Sequence, residues 1–179
     1  MKTLLIATLL LSPTAFLAMP QEPATQKADA VANDPHRQFD FWLGSWRCET
    51  QDGKAAGSNK IVLECGNKVL RENWTGAGGG TGTSLNIYDA ATKQWHQTWV
   101  DQGGTLLLLD GGLDENGSMV LRGKRPGQEG KTVLHQIKWT PVGEQVRQTW
   151  TFSTDDGKTW ATAADLNYIR IQEDTPQKE

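Results

Sequence analysis

From Gly44 onward, apolar and polar residues alternate in short runs separated by clusters of Gly, Asp and Asn. A period of two marks half-buried strands, and turn residues at this spacing point to an all-β sandwich or barrel. The pattern predicts strands near 45–51, 59–65, 68–75, 82–89, 94–101, 104–110, 118–123, 131–140, 144–153 and 159–171. The connections Gly66-Asn67, Gln102-Gly103, Asp114–Gly117, Pro141–Glu144 and Asp155–Gly157 are of hairpin length. No interval is long enough for a crossover helix, so the strands follow one another as an antiparallel meander. About ten such strands in one small domain close most economically into a single up-and-down barrel, because closure leaves no exposed edge. Ahead of them, the segment PHRQFDFWL, residues 35–43, is predicted to form a short helical turn that plugs one end.

The hairpins also say which face is inside. Pairing Thr140 with Gln145 puts Val133, His135, Ile137, Trp139, Val146, Gln148, Trp150 and Phe152 on one face. Leu134, Gln136, Lys138, Arg147, Thr149 and Thr151 fall on the other. The first set must face inward, since a slip of one residue would bury Lys138 and Arg147. The Gly66-Asn67 turn gathers Ile61, Leu63, Leu70, Glu72 and Trp74 on a common face. Around Ala90–Lys93, Ser84, Asn86 and Tyr88 join Trp95, Gln97 and Trp99, against Leu85, Ile87, His96 and Thr98. The Trp-bearing face is assigned to the interior, although Leu85 and Ile87 compete for it.

The resulting interior mixes Trp74, Trp95, Trp99, Trp139 and Trp150 with Glu72, Gln97, His135 and Gln148. One reading is a filled core whose Gln and His side chains receive the indole N–H groups. The other is a cavity for a small apolar or aromatic molecule, with Trp walls and the four polar residues as anchors. A barrel of this strand number has room for a ligand. A non-catalytic ligand-binding barrel is the leading reading. Its rivals are an isomerase or hydrolase using Glu72 and His135 as acid and base, and a filled envelope module whose loops contact a protein partner.

The N-terminus changes the compartment. Lys2, the apolar run at residues 4–11 and the small residues up to Ala18 form a secretory signal peptide, residues 1–18. That run is far shorter than the ~20 residues of a membrane span. The chain therefore divides into the signal at 1–18, a polar leader at 19–34, the barrel at 35–171 and a polar tail at 172–179. The expected destination is the periplasm or the exterior. With 18 Lys and Arg against 21 Asp and Glu, the chain lacks the basic excess that nucleic-acid binding usually requires. Its two cysteines, Cys48 and Cys65, flank a predicted hairpin on one face, so a structural disulfide is expected after export.

Several motifs carry less chemistry than they first suggest. The stretch Ser153–Trp160 (STDDGKTW) fits an Asp-box, a hairpin turn held by Asp and Ser hydrogen bonds with the Trp beneath it. It occurs once, without the repeat of a propeller, and reads as a turn device. The Gly-rich run from Gly76 to Gly82 precedes no helix, so it reads as a loop over the barrel mouth rather than a phosphate cradle. His36, His96 and His135 are scattered, and no metal site is assigned. P-loop, zinc-protease and nucleophile-elbow motifs are absent.

Phe39-Asp40-Phe41-Trp42-Leu43-Gly44-Ser45-Trp46 resembles the opening of the DUF1579-like group of bacterial exported proteins. Leu70–Trp74, Ser84–Asp89 and Trp95–Asp101 are similar to later stretches of that group, and the likeness spans about 36–170. Gly44-Ser45-Trp46 is also similar to the G-x-W that opens lipocalin-like (calycin) barrels. The resemblance implies a fold and no particular activity. Nitrobindin-like barrels share the plan and hold haem through a histidine. Here that role would fall to His135, which makes haem binding a further rival reading; the flanking residues do not match theirs, so no cofactor is assigned.

Overall fold

The structure, a computed structural model, describes residues 34–172. The signal reading of 1–18, and all but the last residue of the leader and the first of the tail, lie outside the described residues.

Ten antiparallel strands form the body: β1 (Gly44–Thr50), β2 (Ala55–Glu64), β3 (Val69–Gly76), β4 (Thr81–Asp89), β5 (Gln94–Asp101), β6 (Leu106–Leu113), β7 (Met119–Pro126), β8 (Thr132–Val142), β9 (Gln145–Ser153) and β10 (Ala161–Arg170). Each pairs with its sequence neighbour, and β1 also pairs with β10, which closes the barrel. Two 3₁₀ turns, Pro35–Arg37 and Asp40–Trp42, precede β1. Their start is set by Asp34, whose carboxylate accepts from the His36 amide, and by Pro35, which needs no amide partner there.

Alternation predicted the faces correctly. Trp95, Gln97, Ser84 and Asn86 are buried, whereas Leu85 and Ile87 stand 49% and 37% exposed on the outer wall. Leu85, Thr98 and Leu108 are cross-strand neighbours there, with Val100 beside Leu106. On β8 and β9, Lys138 and Arg147 point outward and bind Asp114 and Asp165, the latter through two hydrogen bonds at 2.7 and 2.9 Å.

The register of that hairpin differs from the expected one. Val142 pairs with Gln145 and Thr140 with Arg147, so Gly143-Glu144 is the turn and Gly143 takes φ of 60°. A two-residue turn with a positive φ matches the twist of the flanking strands. The shift is by two residues, so every side chain keeps its face. β2 also begins earlier than predicted, at Ala55, because Ala55–Asn59 pairs with β1 despite having little apolar alternation.

The expected disulfide is not formed. Cys48 lies buried opposite Gly57, while Cys65 is exposed in the β2–β3 turn at φ of 49°, and both are free thiols. The eight residue steps from Gly57 to Cys65 run along β2 to its end and cover roughly 26 Å, several times a disulfide's reach. Shared parity placed them on one face but said nothing of their separation along it.

The Asp-box hairpin is built from the expected bonds. Asp155 accepts from the Thr159 amide at 2.9 Å and its hydroxyl at 2.6 Å, and Ser153 accepts from the Gly157 amide at 2.9 Å. Trp160 is not tucked beneath it: the ring is 44% exposed and donates its N–H to the Gly157 carbonyl.

Candidate functional site

The barrel interior divides along its axis. At the end carrying the 65–68, 90–93 and 143–144 turns, the 3₁₀ segment inserts Phe39 and Trp42, both fully buried. Phe39 stacks on Trp42 at 4.9 Å between centroids and meets Trp95 and Trp139 edge-on at 5.6 and 5.2 Å. Such edge and offset contacts suit the ring quadrupoles. Trp46 donates to the Trp42 carbonyl at 2.8 Å, and the Arg170 guanidinium lies 4.1 Å from the Trp46 ring centroid. Arg170 also donates to the Leu43 carbonyl at 2.9 Å, tying the last strand to the plug. This half of the barrel is filled.

One step further along the strands the interior turns polar. Strands β3, β5 and β9 each read, from plug to mouth, an apolar residue, a polar one and a Trp: Leu70-Glu72-Trp74, Trp95-Gln97-Trp99 and Val146-Gln148-Trp150. Successive inward positions lie two residues, or ~7 Å, apart. The polar level is therefore a belt around the barrel, and Glu72 is its centre. Its Oε1 accepts from Asn59 Nδ2 at 2.6 Å and its Oε2 from the Ser84 hydroxyl at 2.6 Å. Asn59 Nδ2 also reaches the Tyr168 hydroxyl at 3.3 Å, which donates to Gln148 Oε1 at 2.9 Å. On the other side, Ser84 accepts from Asn86 at 2.9 Å and Gln97 at 3.3 Å, and Gln97 donates to Asn86 Oδ1 at 2.8 Å. Seven side chains from six strands thus form one connected network.

Nothing cationic balances the carboxylate in that network. Glu72 is 3% exposed, and burial raises its pKa from 4.5 to about 7, against the pull of its bonds to Ser84 and Asn59. Its neighbours respond in kind. Burial first, then the charge of Glu72, pushes the Cys48 thiol up to about 12 and the Tyr168 hydroxyl well above its usual value.

Between the belt and the mouth lies a cavity of about 150 Å³. Glu72, Gln97, Gln148 and Tyr168 supply its polar lining, and Trp74, Trp99 and Trp150 its aromatic one. Leu107, Ile137, Leu166 and Ala164 complete the wall. Gly82 makes the mouth possible: a Cβ there would lie 2.4 Å from the Trp99 ring. The Gly76–Gly82 stretch thus supplies the tip and flanks of the β3–β4 hairpin at the mouth.

Six of the nine residues expected from the sequence meet at this cavity: Glu72, Trp74, Gln97, Trp99, Gln148 and Trp150. Trp95 and Trp139 lie instead in the filled half, against Phe39. His135 is buried but does not line the cavity; its Nδ1 accepts from the Trp150 indole at 3.1 Å and its Nε2 has no partner. Burial and the charge of Arg125 hold its pKa below the usual 6.5. Glu72 and His135 therefore do not share a cavity wall. His36 and His96 are elsewhere, each beside a carboxylate, Asp34 and Asp110.

Sequence reasoning misses Asn59, Tyr168 and the apolar wall, and it places Ser84 and Asn86 on the inner face without giving them a part in the site. Asn59 had a signal, since it shares the inward parity of Ile61 and faces Trp74 across the hairpin. Tyr168 belongs to a strand joined to β9 by a seven-residue connection, which leaves its pairing open in sequence.

No family model matches the chain. No curated protein matches it either.

Haem does not fit the cavity. A macrocycle needs far more than about 150 Å³, and the one inward histidine does not line that space.

Proposed function

We propose that this barrel binds one small, flat, apolar or aromatic molecule in the cavity between its polar belt and its mouth, without transforming it. The observation that carries this reading is the division of the interior: a packed aromatic plug at one end, and toward the other a Trp-walled space of about 150 Å³ floored by polar groups. A cavity of that size holds a single benzene ring. A core serving stability alone would fill it, since voids of this volume cost stability. The polar residues are not simply indole acceptors: His135 accepts a hydrogen bond from the Trp150 N–H, but Gln97 and Gln148 bond into the Glu72 network. Membership of the DUF1579-like group, export to the periplasm or exterior and absence of a cofactor belong to the same proposal.

Ligand-observed NMR of the protein against single-ring aromatics, with Trp emission followed in parallel, tests the reading. Dissociation constants on the order of 10 µM to 1 mM are expected for ligands of this size. Ala164→Phe, which fills the wall from β10, should abolish binding while the protein stays folded. A set of single-ring ligands that all leave NMR signals and emission unchanged would sink it.

A further inference from the structure

The chemistry of the cavity narrows its ligand. Of the groups lining it, Glu72 alone carries a carboxylate, and both of its hydrogen-bond donors, Asn59 and Ser84, are neutral. A carboxylate offers about four acceptor positions, and two are used. Gln97 spends its amide hydrogens on Ser84 and Asn86, so what it retains is its carbonyl oxygen. Two of the three mouth indoles have their N–H groups engaged, Trp150 with His135 and Trp99 with Asp101. These rings therefore offer the cavity π surface rather than donors. Gln148 accepts from Tyr168 on its oxygen and brings only a neutral amide to the lining. The one carboxylate and the indole faces together complement a positive charge attached to a ring.

Resting on the single-ring binding proposed above, we propose that the cavity selects a small aromatic cation, an arylalkyl ammonium or amidinium. Its charged head meets the Glu72 carboxylate, and its ring lies among Trp74, Trp99 and Trp150. A neutral ring of equal size leaves the carboxylate buried and uncompensated; the cation supplies the missing partner.

Binding is then linked to the Glu72 proton. The elements around that carboxylate present Cys48 from β1, Asn59 from β2, Ser84 from β4 and Tyr168 from β10. Cys48 and Tyr168 titrate far above neutrality, and Asn59 and Ser84 carry no charge. Glu72 is thus the group in the site whose charge changes between pH 5.5 and 8.

Calorimetric titration of the protein with benzylammonium and with benzyl alcohol, which share a ring and differ in charge, tests this. At pH 8 benzylammonium should bind at least ~10-fold more tightly than the alcohol. The preference should shrink at pH 5.5, where the ligand stays charged and Glu72 holds its proton, and vanish in Glu72→Gln. The pH comparison uses the unaltered protein, so it stands even if the variant folds poorly. Equal affinity for both ligands at both pH values overturns cation selection and leaves the aromatic cavity standing. Failure of both ligands to bind overturns the cavity reading and this inference together.

Discussion

Replacing Glu72 by Gln removes the one buried carboxylate of the network while keeping its shape. In the folded protein this carboxyl keeps its proton up to about pH 7, whereas the unfolded chain releases it near 4.5. Between those values the folded form holds more protons, so the contribution is full below 4.5 and is lost as the pH rises through 7. Each pH unit is worth ~1.4 kcal/mol, so the range from 4.5 to about 7 amounts to about 3 kcal/mol withdrawn by pH 8. A glutamine at this position does not ionise and escapes that loss. Its amide would face a donor, but Asn59 Oδ1 is buried without a partner, and turning the Asn59 amide presents that oxygen to the new N–H. The residual mismatch should cost about 1 kcal/mol. Urea unfolding followed by Trp emission should therefore find Glu72→Gln within about 1 kcal/mol of the wild type at pH 5 and about 2 kcal/mol more stable at pH 8. His135 titrates with the opposite slope, because its lowered pKa favours the neutral form, but it is common to both proteins and cancels in their difference. A difference that stays constant within ~0.5 kcal/mol from pH 5 to 8 would refute the assignment of a buried, uncompensated carboxylate. A gain at pH 8 would mean that the native residue is retained at a cost to stability, as expected of a group kept for binding.

Three further outcomes test the frame around the site. Gly82→Ala forces a methyl to 2.4 Å from the Trp99 ring; overpacking of this kind should cost about 1–3 kcal/mol, read as a lower urea midpoint, and unchanged stability would mean that Trp99 is free to move. Arg170→Leu removes both the guanidinium over Trp46 and the bond to the Leu43 carbonyl, for a loss of about 2 kcal/mol; Arg170→Lys should recover only part of it, because an ammonium cannot stack and fork at once. A thiol reagent should label Cys65 rapidly and Cys48 only on unfolding, since one is exposed and the other is buried with its pKa pushed up to about 12; finding no free thiol in the native protein would show that the two are oxidised after all.

The inward faces were legible because strand side chains alternate with a strict period of two, and Lys138 and Arg147 make the opposite assignment too costly. Closure followed from ten hairpin-linked strands and the penalty of free edges. Parity, however, carries no height. Trp95 and Trp99 look equivalent in sequence, yet one is sealed under Phe39 and the other borders the cavity. The same blindness put Cys48 and Cys65 together, although Cys65 sits in the turn beyond the end of β2.

The chain's own alternation thus determined its strands, their faces and the mixture of indoles and polar groups inside. Only the closed barrel decided which of these groups meet, because their height along the axis depends on the stagger of ten strands and on how deep the 3₁₀ plug enters. Both are set by long-range packing: β1 must find β10 more than a hundred residues away, and Phe39 and Trp42 must lodge between Trp95, Trp139 and Tyr168 before any space is left over. The Glu72 network shows both levels: Ser84 and Asn59 reach the carboxylate from the flanking β4 and β2 through local hairpins, whereas Tyr168 joins them from β10 only once the barrel is shut, and the burial that displaces the Glu72 pKa comes with that closure.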